Sequence, residues 1–571
     1  MPQNNKKTIG VDFHGVLDSG FELPEKAIVI TGANEQEEGE EIRNTLGDKV
    51  KIHFFDKHDE LTDDNKDAKI GTWKAQMIKK LGVDKFYEDN DNQIEIIKAF
   101  NPKVEVVKVV DGIAAEPMKF ICFTFDGTIL PVAKKLQDEG NEVIVAMVDN
   151  NKNVFTDEQI KNKSWKPEEP KKKKDRWKLY NGILKMHKAE EVLKEMKSIK
   201  NKEDYFILAD SNSLFRFTEQ AYAMGFTKGF FPTEEDRNFE ENRMKAKEFV
   251  KQNYPDIEVA EVQKFEKVAD AIEFLNTSDK MWVLKSLGDY GDTVMAKTDD
   301  ADQAKEQIIS ALTEHSKDYE TDGFILEELI QNCKELTPQI VFYDGVPVYY
   351  TLDIENKPFG AGNIGFMVGC AQNLICHIEE EDPINKIAFP PIVYEMAKEH
   401  HGMFVWDIGL LATDDGKYYF TEFCSNRMGW DAFPTELSMC ESLTLYFQKL
   451  ILKQDPICMQ YGAGVRVFNL TQGEPFKDAE ISMEDEKGIF LYDAYDNLKT
   501  VGMLDLCVCT GASDDMYEAI EEAYENVAKI TLESKSVRPK FDFVSYDYPT
   551  SILNRYNYYQ SISNQSDEHS F

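Results

Sequence analysis

Apolar, strand-like runs that carry isolated charges constrain this 571-residue chain more than any other feature. In MWVLKSLGDYGDTV, which begins at Met281, one lysine, Lys285, lies in a run that otherwise reads as a buried strand and leads into a Gly/Asp turn. In FILEELIQNCKEL, from Phe324, an apolar strand ends in the paired acids Glu327 and Glu328, with Glu335 shortly after. Farther along, Asp407 falls within the strand FVWDIGLLA and Glu422 within KYYFTEFCSNRMG.

The chain is too long for one core, and about three or four domains are expected. Its hydrophobic content of 42% and aromatic content of 12% describe a globular protein. The formal charge of −38 argues against a nucleic-acid partner or a membrane surface, both of which repel it. No apolar run is long enough for a transmembrane helix. The N-terminus, MPQNNKKTIGVDF, lacks an apolar signal core, which gives a cytoplasmic expectation. Nine cysteines without a CxxC pair read as reduced thiols.

Residues 1–115 alternate short strands (TIGVDF, KAIVIT, VKIHFF, KVEVVKVV) with helical segments such as EEIRNTL and WKAQMIKKLG, the pattern of a small α/β unit with a parallel sheet. DGIAAEPMK reads as a linker. Residues 118–235 repeat the α/β style with KFICFTF, EVIVAMV and DYFILAD, interrupted by the lysine-rich stretch KPEEPKKKKDRWK, a solvated loop. Residues 236–450 hold the charged strands. Residues 451–545 form a smaller β-rich piece with the helix DDMYEAIEEAYENVAKI, and 546–571 are a Tyr/Asn/Ser-rich tail. The fold class is therefore α/β and α+β multidomain.

A lysine on one sheet and carboxylates on another form the set that a nucleotide with Mg²⁺ needs. The ammonium meets phosphate oxygens as a point charge, and hard oxygen ligands hold the metal. The order of elements from Met118 to about residue 545 resembles the ATP-grasp superfamily, and within it glycinamide ribonucleotide synthetase (phosphoribosylamine–glycine ligase). The resemblance implies a pre-ATP-grasp domain at 118–235, an ATP-grasp domain at 236–450 and a synthetase-like C-terminal domain at 451–545. It implies ATP with Mg²⁺ or Mn²⁺ as cofactors, and small-molecule carboxylate and amine substrates joined through an acyl phosphate with release of ADP. Lys285 would bind phosphate under a loop made supple by Gly288 and Gly291, and Glu327 and Glu328 would lie at the hinge beside adenine. Glu335 would hold the ribose. Arg243, after Asn242, stands where the family has a serine-lysine pair. Gly362, Asn363 and Gly365 of FGAGNIGFMVG match a glycine-rich loop that lines the acceptor region, with Phe366 in place of its second glycine. Asp407 and Glu422 occupy metal positions. Cys424 stands where the third ligand, an asparagine, is usual, so that Asn426 would substitute and Arg427 would hold the acyl phosphate. The family's Gly-Gly-Arg-Glu-His-Ala turn is replaced by FTFDGTILPVAKKL.

TIGVDFHGVLDSG resembles the first motif of haloacid-dehalogenase-type phosphatases. That resemblance implies Asp12 as nucleophile and metal ligand, with His14 donating a proton to the leaving group in place of the usual aspartate. It also implies Thr31 as the phosphate-binding hydroxyl, Lys74 as the neutralising lysine, and Glu88 and Asp89 as metal ligands. The short link between the first two strands leaves little room for a crossover helix and none for a cap domain. In FTFDGTIL the same motif recurs with Thr124 at the nucleophile position, which reads as the strand-to-helix turn of the following domain.

Three functions stay open at this point. One is a carboxylate–amine ligase fused to a phosphatase-like domain. Another is a phosphoribosylamine–glycine ligase of purine synthesis. The third is a phosphohydrolase, or a non-catalytic nucleotide-binding protein, with a degenerate ligase half.

Overall fold

The computed structural model describes residues 7–47, 49–148, 176–287, 293–296, 298, 300–424, 432–471, 476–495, 498–545 and 551–567. The chain divides into two compact units, residues 1–117 with 447–449, and residues 118–446 with 450–571. All nine cysteines are free thiols. Among the described residues, no helix is long and apolar enough to cross a membrane.

The first unit is built on a sheet whose strands run in the order Lys51–Phe55, Ile28–Asn34, Ile9–Val11, Lys85–Glu88, Glu105–Val110, all parallel to their neighbours, closed by Ile113–Ala114 antiparallel to the last. The stretch read as a linker thus contributes a strand. Strand alternation sends side chains to both faces. Ile30 and Phe86 pack with Ala75, Ile78 and Ile97 on one face, while Val11, Tyr87, Val107 and Val109 pack together on the other. Helices Glu35–Leu46 and Asp91–Phe100 start where Asn34 and Asn90 accept backbone N–H bonds as caps. Helix Lys66–Leu81 ends at Gly82, whose φ of 63° lets the backbone turn back. No crossover helix links the first two strands. One irregular turn, Phe13–Leu17, replaces it, with Asp12 accepting from the Phe13 N–H.

Among the described residues, the second unit contains three larger sheets and one two-stranded sheet. Residues 118–235 form a parallel sheet in the order Lys228–Gly229, Tyr205–Ala209, Lys119–Thr124, Glu142–Met147, Met186–Lys188. Counted along the chain, this is the strand order of the first unit's sheet. A small antiparallel sheet, Val262–Phe265, Phe324–Glu328, Trp282–Ser286, Val294–Met295, packs on helices Val268–Thr277 and Ala301–Glu314. The third is a ten-stranded sheet. It runs from Ile257–Glu258 through Tyr418–Phe423, Met403–Thr413, Cys333–Tyr343, Val346–Gly360 and Ile364–Ile378 to Tyr461–Asn469, Asp505–Ser513 and Ile489–Leu491, and its tenth strand, Lys535–Val537, pairs with Tyr461–Asn469 off this path. Residues 451–545 therefore add their longer strands to this large sheet, and only the short pair Ser482–Met483 with Ile530–Thr531 forms a sheet of its own. Strand Tyr461–Asn469 pairs directly with Ile364–Ile378, and one apolar core runs under both parts. The tail from 546 carries a helix, Ile552–Asp567, whose Leu553 and Tyr559 enter that core.

Candidate functional site

In the second unit, one helix joins the small sheet to the large one. Asn242 caps helix Arg243–Asn253 by accepting from the Lys245 N–H. Arg243 and Lys247 lie one turn apart on the same helical face. Arg243 approaches Glu422 of the large sheet at 3.7 Å, and Lys247 approaches Glu327 of the small sheet at 3.0 Å. Lys285, from the neighbouring strand of the small sheet, lies 3.2 Å from the same Glu327. From the large sheet, the Lys357 ammonium lies 2.8 Å from Glu335 and 3.2 Å from Glu422. Four cations thus gather around three carboxylates in a chain whose formal charge is −38.

The electrostatics follow from this crowding. Lys357, followed by Arg243 and Lys285, holds the Glu422 carboxyl down at about 2, against the opposing effect of burial. Burial, reinforced by Lys285 and Arg243, depresses Lys247 in spite of Glu327. Lys357 is the reverse case. Burial would lower it, but Glu335, Glu422 and Glu355 outweigh that and keep it protonated.

Of the paired acids at the end of strand Phe324–Glu328, only Glu327 faces the cluster. Glu328 points to the opposite side by strand alternation and pairs with Lys280 at 2.8 Å. Asp407 is fully buried, and its backbone carbonyl accepts from the Cys424 N–H. Burial, then Glu422 and Asp407, raise the Cys424 thiol far above its ordinary range, so it is a neutral neighbour. Gly362, Asn363 and Gly365 form a tight turn with φ of 64°, 58° and 92°. Gly288, Gly291, Asn426 and Arg427 lie outside the described residues. Lys247 and Lys357 were not singled out from the sequence. The signal for Lys247 was its spacing from Arg243, and for Lys357 its place among the acids of LDIENK.

The first unit brings Asp12, Glu88 and Asp89 together at the carboxyl ends of two neighbouring strands, with Lys74 reaching them from helix Lys66–Leu81. Asp12 follows strand Ile9–Val11, and Glu88 and Asp89 follow one another at the end of Lys85–Glu88. Ligand oxygens of Asp12, Glu88 and Asp89 all lie within 4.8 Å of one another. Lys74, 1% exposed, pairs with Asp12 and lies 2.6 Å from Glu88. One ammonium facing two buried carboxylates leaves negative charge uncompensated. Accordingly, burial holds Glu88 well above the ordinary carboxyl range although Lys74 pulls it down. A divalent cation on the three acids would neutralise that charge, so the donor set fits a hard, oxygen-preferring metal. Gly15 is required at the same place. Its φ is 71°, and a Cβ there would lie 2.0 Å from Asp89 Oδ2. Thr31 is fully buried, with its hydroxyl accepting from the Ala33 N–H at 3.2 Å. His14 is half exposed, with Nε2 2.7 Å from Glu38 and Nδ1 3.1 Å from Asp18. Burial opposes protonation of its ring, but Asp18 and Glu38 prevail and raise its pKa.

Thr124 ends the first strand of the second parallel sheet, as Asp12 follows the first strand of the other. Its hydroxyl donates to Asp210 and accepts from the Gly127 N–H at 2.8 Å. Burial, then Asp126, push Asp210 up to about 7.

No protein-family model matches the chain, and no curated protein matches it in sequence. Among solved structures, the chain is similar to a phosphoribosylamine–glycine ligase from Thermotoga maritima, with 18% identity and a TM-score of 0.49 over 74% of this chain and 99% of that one. It is also similar to a phosphoribosylglycinamide synthetase from Anaerococcus prevotii, with 11% identity and a TM-score of 0.44 over 73% and 99% of the two chains. A third is an L-amino acid ligase from Bacillus licheniformis, with 12% identity and a TM-score of 0.43 over 73% and 99%.

Proposed function

We propose that the crevice between the small and large sheets of the second unit binds Mg-ATP, and that the chain is an ATP-dependent carboxylate–amine ligase of the ATP-grasp kind. The observation that carries this reading is helix Arg243–Asn253, which lays Arg243 on Glu422 and Lys247 on Glu327 and so lines both walls with cations. Cations held close together by acids favour a polyanion that replaces part of that pairing, and a triphosphate is such a ligand. Lys285 and Lys247 would hold phosphate oxygens on the small-sheet side, and Arg243 and Lys357 on the large-sheet side. Glu422 suits Mg²⁺ because it is kept ionised and is partly open to solvent. When bound, the metal supplies charge neutralisation on the transferring phosphate.

The chemistry is the transfer of the terminal phosphoryl group to a carboxylate oxygen, giving an acyl phosphate and ADP. An amine nitrogen then attacks the acyl carbon, inorganic phosphate leaves with the C–O bond pair, and the amine loses a proton as the amide forms. The side chains contribute orientation and charge stabilisation. The test is Mg-ATP-dependent ADP release across a panel of carboxylates and amines, including glycine with phosphoribosylamine. ADP formed with a particular pair, and lost in Lys285→Ala, is the expected result. No ADP release together with no Mg-ATP binding by calorimetry would sink the reading. Turnover with glycine and phosphoribosylamine alone would identify a phosphoribosylamine–glycine ligase.

A second activity is supported by the first unit, whose acids and lysine suit phosphomonoester hydrolysis. Asp12 would attack phosphorus while the leaving oxygen takes a proton from His14, and water would then hydrolyse the aspartyl phosphate. Magnesium-dependent phosphate release from p-nitrophenyl phosphate, abolished in Asp12→Asn, is the outcome that supports it. Release that survives Asp12→Asn would exclude it.

A further inference from the structure

Strand Val346–Gly360 delivers Lys357 to the cation cluster, yet its own ladder is weakest there. Its pairing with Ile364–Ile378 shifts register between Asn356 and Pro358, and again between Pro358 and Gly360. Pro358 has no N–H to give. The turn that follows holds Gly362, Asn363 and Gly365 at positive φ. A segment of this kind does not fix a lysine unaided.

The support comes from the far end of the chain. Arg555, on helix Ile552–Asp567 and 6% exposed, donates from Nη1 to the Glu355 carbonyl at 2.6 Å and from Nη2 to Asn356 Oδ1 at 2.7 Å. Arg538, 1% exposed, donates from Nη1 to the Pro358 carbonyl at 2.7 Å and from Nη2 to Asn363 Oδ1 at 2.7 Å. Asp542 pairs with the Arg538 guanidinium and accepts from the Gly362 N–H at 3.0 Å. The two guanidinium groups therefore grip the backbone immediately before and immediately after Lys357. Arg555 is the more telling of the two. Among the described residues no carboxylate pairs with it directly, and a buried guanidinium on neutral acceptors is a costly way to hold a helix in place. What it gains is a planar fork that fixes two acceptors at once, which an ammonium cannot do.

We infer that Arg538 and Arg555 are positioning residues for Lys357, a bracket through which the C-terminal segment sets the lysine against Glu335 and Glu422. The inference rests on the nucleotide-binding reading of that crevice. It assigns the last helix, which lies beyond the segment that resembles the synthetases, a part in building the site.

The experiment uses the full chain and Arg555→Lys, which keeps the charge and loses the fork. Tyr559→Phe is the control, because it removes another anchor of the same helix, the Tyr559 hydroxyl on Asp382 at 2.6 Å. Mg-ATP binding is measured by calorimetry, and backbone hydrogen exchange is followed over residues 355–365. The expected result is at least a tenfold loss of Mg-ATP affinity and faster exchange in Arg555→Lys, with neither change in Tyr559→Phe at a similar loss of melting temperature. Adding Arg555→Lys to Lys357→Met should then cause no further loss of affinity, since the arginine acts through the lysine. Equal behaviour of Arg555→Lys and Tyr559→Phe in both readouts overturns the bracket, as does full additivity with Lys357→Met. If wild-type protein binds no Mg-ATP, the nucleotide reading has failed. Exchange over 355–365 then decides the bracket alone, upheld by faster exchange in Arg555→Lys only and overturned by exchange unchanged from wild type.

Discussion

Replacing Lys74 by methionine isolates the electrostatics of the first unit. Methionine keeps the length and the apolar stem of the side chain but removes the ammonium that faces Asp12 and Glu88. All three side chains are 6% exposed or less, so water cannot take over the lost pairing. Removing one partner of a buried ion pair costs about 3–5 kcal/mol, because the other charge is left uncompensated. A domain of this size unfolds with an entropy near 2 cal/mol/K per residue, so each kcal/mol moves its melting temperature by about 4 °C and the expected drop is about 12–20 °C. The sign of the pH effect follows from Glu88, whose folded pKa is raised by burial. A raised carboxyl binds its proton more tightly in the folded state, so the stability it contributes is present at low pH and is lost as pH rises. The Lys74→Met deficit should therefore be smaller at pH 5 than at pH 7.5. Magnesium or manganese should raise the variant's melting temperature more than that of the wild type, since the metal replaces the missing positive charge. Differential scanning calorimetry at both pH values, with and without metal, measures all three effects. A deficit below about 1 kcal/mol that changes with neither pH nor metal would refute the buried triad.

Two further predictions use the second unit. Asp210 is almost fully buried, and its pKa is raised to about 7 from an ordinary value of 3.8, so wild-type stability should fall as pH rises from about 4 to 7. Asp210→Asn, which still accepts from Thr124 and the Ile129 N–H, should flatten that slope in thermal melts, and an unchanged slope would show that another group causes it. Glu327→Gln should leave Lys247 and Lys285 facing each other without their shared carboxylate, at a cost of about 3 kcal/mol near neutral pH. Because the folded pKa of Lys247 is lowered, the variant should regain stability as pH rises toward 9 and on adding inorganic tripolyphosphate, both read as melting temperature. No response to tripolyphosphate would argue against a polyphosphate site.

Much of this arrangement was legible because strands and single charges leave local signals. The parallel sheet of residues 7–114 follows from its apolar runs, and Asp12, Lys74, Glu88 and Asp89, singled out from separate segments, meet at one edge. What escaped depends on tertiary placement. Glu327 and Glu328 are neighbours of equal chemistry, and only the face that strand Phe324–Glu328 turns to helix Arg243–Asn253 separates them. Lys247 looks like any lysine of an exposed helix until Glu327 is found 3.0 Å away. The last helix is the extreme case, because its sequence, ILNRYNYYQSISNQSD, has too few aliphatic residues to read as a packed element. Its tyrosines resolve that by burying rings while their hydroxyls reach out, Tyr559 to Asp382, Tyr558 to the Thr413 carbonyl and Tyr556 to Tyr461. Arg555 does the same with charge, carrying a guanidinium into the sheet to meet a carbonyl and an amide on the strand of Lys357. A polar composition therefore marked, in this chain, a segment that is held by its polar atoms. The residues that shape the candidate nucleotide site come from positions as far apart as Arg243 and Arg555, a distance that no local pattern spans.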